Sequence, residues 1–279
     1  MTAAEIRRPE LTALDVPDQF NVATYFVDRN VEDGRGDHIA IECGDEHVSY
    51  REVLERVNRF GNALRSRLDV RVEERIALLL LDCPEYVYSF FGAIKVGAVP
   101  IPISTLFKPA DYEYILNDSR ARVLVISEAL LPQLHAIPDD NLRYLRDVVV
   151  VGNNPTGSHR LTTHSFDEVL SQASTELEPE KTSKDDAAFW LYSSGSTGSP
   201  KGCVHLHHDM LVCTELYARG VLGITERDRC FSVAKLFFAY GLGNALYFPF
   251  GVGATTILFP GPPTAPNVFE IVNKHRART

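Results

Sequence analysis

The 279-residue sequence has no apolar run long enough to span a bilayer. Its most apolar segment, IALLLLDCPEYVYSFFGAIKVGAVPIPI, is broken by Asp82, Pro84, Glu85 and Lys95, and the N-terminal MTAAEIRRPELTALDVPDQF lacks the apolar core of a signal peptide. These two absences predict a cytoplasmic protein with no membrane partner. Positive charge is also scarce, with 28 Lys and Arg against 37 Asp and Glu, a net charge of -9. Such a surface repels nucleic acid, so any anionic ligand must be held by a local cation. The five cysteines are odd in number and never spaced CxxC, which excludes a disulfide framework and a Cys-based zinc site and leaves them as small buried hydrophobes.

What is present is a globular composition, 45% hydrophobic and 23% charged, on a chain able to bury roughly 75% of its unfolded surface. Continuously apolar stretches at 75–81, 98–103, 122–127 and 147–152 read as strands buried on both faces. Between them lie amphipathic stretches. The one beginning at Tyr50 places Val53, Leu54, Val57, Phe60 and Leu64 on one face, and two more follow in PEYVYSFFGAIKVG and KPADYEYILNDS. Strand and helix alternate, which predicts an α/β chain with mainly parallel sheets layered with helices and right-handed crossovers. The polar SQASTELEPEKTSKDD, 171–186, reads as an exposed loop or seam, dividing a first α/β subdomain (1–180) from the start of a second (181–279).

After that seam comes a buried strand, AAFWLY, then SSGSTGSPKG, then an amphipathic HHDMLVCTELYARGVLG closed by Gly220 or Gly223. The loop is therefore expected between a strand and a helix. Five hydroxyl residues and three glycines surround Lys201. Glycines admit close backbone approach to a phosphate, hydroxyls add donors, a helix N-terminus adds partial positive charge and the lysine supplies a full one. A flexible linker would have the same composition, but not this position between a buried strand and a helix. Nor is it a GxxxxGK[ST] loop, which would need Gly at Pro200 and Ser or Thr at Gly202.

YSSGSTGSPKG resembles the signature loop of the adenylate-forming enzymes, the superfamily of acyl-CoA synthetases, luciferases and peptide-synthetase adenylation domains. Residues 82–125 are similar to an early block of that family, and LFFAYGLGNALYFPFGVGATTILFP to its substrate-pocket block. Within the superfamily the likeness is to benzoate-CoA ligases and other aryl-CoA ligases. The resemblance implies the N-terminal large domain of such an enzyme, with ATP, Mg2+ and coenzyme A as cofactor and co-substrates and a carboxylate activated through an acyl-adenylate. It places Ser193, Ser194, Gly195, Ser196, Thr197, Gly198 and Lys201 on the β- and γ-phosphates, with Thr197 and Lys201 stabilising the departing pyrophosphate.

The same resemblance puts Phe238, Ala239, Tyr240 and Gly241 in the acyl pocket, Phe238 standing where many relatives carry a gating histidine. No acid occurs from Lys235 to Gly243, so an uncharged acyl group is expected. Two phenylalanines, a tyrosine and a small alanine suit a flat aromatic acid, although the same aromatics could be core. A fatty-acyl ligase or a non-catalytic nucleotide binder remain alternatives, and homodimerisation is left open. His205, His207 and His208 have a spacing that could suggest zinc but only Asp209 as a nearby carboxylate, and His207 is expected at a helix start near the nucleotide. Asp185 and Asp186 read as a solvated turn. Family members run to about twice this length and carry the magnesium-associated residues, the hinge and the catalytic lysine in later blocks. The chain is thus expected to lack the C-terminal domain and to be unable to complete thioester synthesis alone.

Overall fold

A computed structural model describes residues 14–153, 160–193 and 198–277. The chain runs through β1 (Ile39–Cys43), β2 (Glu46–Ser49), α1 (Tyr50–Ser66), β3 (Arg75–Leu79), α2 (Pro84–Lys95), β4 (Val99–Pro102), α3 (Pro109–Asp118), β5 (Val123–Ser127), α4 (Leu131–His135), β6 (Asp147–Val151), β7 (Thr162–Ser165) and α5 (Phe166–Ser171). It continues through β8 (Ala187–Ser193), β9 (Lys201–Leu206), α6 (His207–Cys213), β10 (Arg229–Phe231), α7 (Ala239–Leu242), α8 (Phe248–Val252), β11 (Thr255–Leu258) and α9 (Ala265–His275). A wider helical stretch, Thr214–Leu222, prolongs α6 and ends at Gly223, whose φ of 65° is a left-handed stop.

Every strand predicted from an apolar run is present. β4-β3-β5-β6-β7 form one all-parallel sheet, and its apolar strands are buried because helices cover both faces. Pro100 and Pro102 lie in β4, an edge strand of that sheet, where their missing N–H groups break no ladder. Local signals fix the helices. Ser49 caps α1 with its side chain while Glu52 returns a bond to the Ser49 N–H at 2.8 Å, and Pro84 opens α2. Val53, Val57, Phe60 and Leu64 are fully buried, each contributing about 1.5–3 kcal/mol relative to exposure. Helices α1 and α2 cross closely because two glycines meet there. A Cβ on Gly92 would come 2.9 Å from the Val57 carbonyl and 3.2 Å from the Gly61 nitrogen.

The structure differs from the sequence reading at three places. The second sheet, β10-β11-β1-β2, joins strands from both ends of the chain, with β11 parallel to β1 and to β10. A cut near residue 180 would divide this sheet and the largest apolar cluster, which extends from Val22 to Leu258. The polar stretch after α5 is no free loop. Asn58, Arg59, Asn62 and Arg65, on one face of α1, bind the carbonyls of Thr175, Ala173, Ser174, Glu176 and Glu178 at 2.6–2.9 Å. Helical spacing thus presents a row of amide and guanidinium donors, and the strap lies along it. At its end Glu180 N–H donates to the carbonyl of Lys95. The Lys95 ammonium, fully buried, donates to Asp28 at 2.5 Å and Asn58 at 2.7 Å.

Candidate nucleotide and acyl site

The third difference bears on function. The Ser/Gly loop joins two antiparallel strands, β8 and β9, and not a strand to a helix. Lys201–Leu206 is short and alternating enough to return along β8, so α6 begins at His207, about 20 Å further along an extended strand from Lys201. The expected helix dipole cannot reach the loop, and charge there rests on Lys201 and on backbone N–H groups.

Ser194, Gly195, Ser196 and Thr197 lie outside the described residues. Of the remaining loop residues, Ser193 and Lys201 are cross-strand partners at the mouth of the hairpin. Gly198 has φ +137°, a conformation that favours glycine, with nothing within 4 Å of a hypothetical Cβ. Lys201 is exposed and makes no ion pair among the described residues. An exposed ammonium with no ion pair among the described residues, close in sequence to Gly198, fits a polyphosphate.

Below the mouth, Leu191 pairs with Cys203 and Phe189 with His205. The His205 and Phe189 rings stack 4.5 Å apart and 8° from parallel. This hairpin face is one wall of a cavity of about 520 Å³. Phe237, Phe238 and Ala239 form the opposite wall, with Leu106 and Phe107 at the side. Among the described residues no carboxylate lines it. Phe238 is 46% exposed and caps α7, while Tyr240, 67% exposed, and Gly241 are not among the lining residues. Phe238 and Tyr240 are therefore not core, whereas Phe237 is buried. Gly241 is placed by packing. A Cβ there would sit 2.1 Å from the Lys235 carbonyl and 2.4 Å from that of Ala234.

A second cavity, about 380 Å³, lies across the same wall and shares Leu106, Phe237 and Phe238 with the first. Asp82 and Lys235 are its charged lining residues. Asp82, 5% exposed, accepts from Leu236 N–H at 3.1 Å and faces the Lys235 ammonium at 3.5 Å. Burial pushes its carboxyl up to about 6, against the opposing effect of Lys235. Sequence reasoning assigned neither residue a role. The available signal was an acid ending the continuous run RIALLLL.

His207 opens α6 as expected, but its Nδ1 accepts from Val22 N–H at 3.0 Å, and it lines neither cavity. Burial pushes it down to about 4. His208 lies between Asp185 and Asp209, at 3.2 and 3.3 Å. Asp186 caps the turn before β8 by accepting from Ser183 N–H. Among the described residues no three His, Cys, Asp or Glu side chains are grouped to hold a metal ion. No described helix is long and apolar enough to cross a membrane.

The chain belongs to the AMP-binding enzyme family, whose model matches residues 27–279. It is 45% identical over 264 residues to a benzoate–CoA ligase of Thauera aromatica, covering 95% of this chain and 49% of that protein. Among solved structures it is similar to an anthranilate CoA ligase in complex with anthranoyl-AMP, with TM-score 0.89, 40% identity and coverage of 94% of this chain and 49% of that one. A benzoate CoA ligase from Burkholderia xenovorans LB400 gives TM-score 0.81 and 40% identity over 92% and 49%. The chain spans about half the length of the curated relatives it matches.

Proposed function

We propose that this chain is the nucleotide- and acid-binding part of an aryl-CoA ligase that uses ATP. The observation that supports the reading is an exposed Lys201, with no ion pair among the described residues, paired across the hairpin with Ser193, which lines a mainly apolar cavity with no carboxylate among its described lining residues. A carboxylate must be given a leaving group before a thiol can displace it. Its oxygen attacks the α-phosphorus of ATP and the bond to the β-phosphate oxygen breaks, so pyrophosphate leaves and an acyl-adenylate remains. The sulfur of coenzyme A then attacks the acyl carbon, giving the thioester and AMP with loss of the thiol proton. Lys201 and the loop, Thr197 included, hold the β- and γ-phosphates and stabilise charge on the departing pyrophosphate. Mg2+ would supply charge neutralisation on the phosphates, and among the described residues no three His, Cys, Asp or Glu side chains are grouped to hold it. The flat acid lies against Phe238 and Ala239. Free thiols at Cys43, Cys83, Cys203 and Cys213 agree with a cytoplasmic setting.

The test is carboxylate-dependent pyrophosphate release by the full-length gene product with benzoate, octanoate and acetate. Release with benzoate that falls at least about 100-fold in Lys201→Ala supports the reading. Release with octanoate alone replaces the aromatic acid by a fatty one, and no release with any acid leaves a nucleotide binder.

A further inference from the structure

The wall between the two cavities is held from several sides. Leu236 is fixed at both its backbone groups, its N–H donating to Asp82 at 3.1 Å and its carbonyl accepting from Tyr86 Oη at 3.0 Å. The Lys235 carbonyl accepts from Phe238 N–H at 3.0 Å and is abutted by Gly241. The Lys235 ammonium donates to the Phe259 carbonyl at 2.5 Å, lies over the Phe259 ring, and faces Asp82. These restraints converge on Phe237 and Phe238, whose rings are 4.6 Å apart and form part of both cavities. A buried ion pair is a weak source of stability, because desolvation offsets its Coulombic gain. It does confer registry, since an unpaired partner is costly wherever the backbone shifts.

We propose that Asp82 and Lys235 are a positioning pair that sets the depth of the acyl cavity by fixing the Phe237–Phe238 wall, and so determines which carboxylic acids the site accepts. This rests on the ligase reading above. The pair touches no reacting atom in that scheme. Its effect is on fit. With the wall fixed, a rigid planar acid is accommodated and a flexible chain of similar volume is not. With the pair broken, the wall can move into the second cavity, and the two acids are no longer distinguished. Tyr86 and Cys43 are the other ionisable groups whose protonation responds to the Asp82 charge, and burial holds both in their neutral forms. Protonation of Asp82 itself therefore loosens the pair from its own side.

The experiment measures kcat and KM for benzoate and hexanoate in the full-length gene product, comparing wild type with Asp82→Asn, Lys235→Met and the double variant. Folding is followed by far-ultraviolet circular dichroism. The expected result is a fall of about tenfold in the benzoate-to-hexanoate ratio of kcat/KM in each single variant, carried by a raised KM for benzoate. The double variant, with no unpaired charge, recovers part of the ratio lost in Lys235→Met. In wild type the benzoate KM rises as pH falls through about 6, and in Asp82→Asn it does not. Equal losses for both acids, or an unchanged ratio, overturn the pair's role while leaving the ligase reading intact. Wild type that turns over no acid overturns the ligase reading, and the pair's role with it.

Discussion

Acidification should weaken this fold at one identifiable imidazole. His207 is 1% exposed and uses Nδ1 to accept from the Val22 N–H, fastening the N-terminal segment to the start of α6. Burial pushes its pKa from 6.5 to about 4. Below pH 6.5 the unfolded chain takes up a proton that the folded chain refuses, so stability present at pH 7 declines as pH falls from 6.5 towards 4, then levels off. At about 1.4 kcal/mol per pH unit the full gap is about 3 kcal/mol, most of it lost by pH 4.5. Asp82 opposes this, because its carboxyl is raised from 3.8 to about 6 and the folded chain gains relative stability as pH falls through that window. The two effects are similar in size, so the wild-type profile alone hides both. The assay is urea unfolding at pH 7.5 and 4.5 in an Asp82→Asn background, with and without His207→Gln, which keeps an acceptor for Val22 but does not titrate. The stability difference between the pair should narrow by about 2 to 3 kcal/mol between the two pH values. A difference constant to within about 0.5 kcal/mol refutes the assignment.

Other substitutions test the packing. Gly92→Ala forces the α1–α2 crossing apart and should cost about 1–3 kcal/mol in denaturant unfolding; Gly34→Ala, with nothing near its Cβ but a φ of +84°, should lose stability through strain alone. Ser49→Ala removes the cap of α1 and should cost about 1 kcal/mol by the same measurement. Lys95→Met leaves Asp28 without its buried partner and should cost about 3 kcal/mol, most of it recovered by adding Asp28→Leu.

Four strands of the first sheet were legible because they are continuous apolar runs alternating with helical stretches; the edge strand β7, Thr162–Ser165, is polar and gives no such signal. The second sheet was not legible. Ile39–Cys43 and Thr255–Leu258 are separated by most of the chain, and each is too short to announce a partner. The strap after α5 read as free loop because its own residues are polar, and what holds it is a row of donors on α1 more than 100 residues earlier. At the site, the resemblance singles out Phe238, Ala239, Tyr240 and Gly241, of which Phe238 and Ala239 line the first cavity, while Ser194 to Thr197 lie outside the described residues. The second strand of the hairpin was missed because the loop reading ends at Gly202 and the helix reading begins at His207, which leaves the short Cys203–Leu206 stretch with no element of its own. Asp82 and Lys235 were missed because their meaning depends on a 3.5 Å approach across the fold.

The pairing of β1 with β11 also fixes an order of events during synthesis. Cys43 leaves the ribosome long before Leu258 is made, a lag of about 10–40 s at ordinary elongation rates. Through that interval β1 and β2 form a two-stranded ribbon with one edge unsatisfied, beside a first sheet that needs nothing made after residue 165. A two-stranded ribbon is marginal in water, and its open edge is a template for pairing with another nascent chain. Translation pauses between these points should therefore raise aggregation, whereas pauses after residue 258 should not.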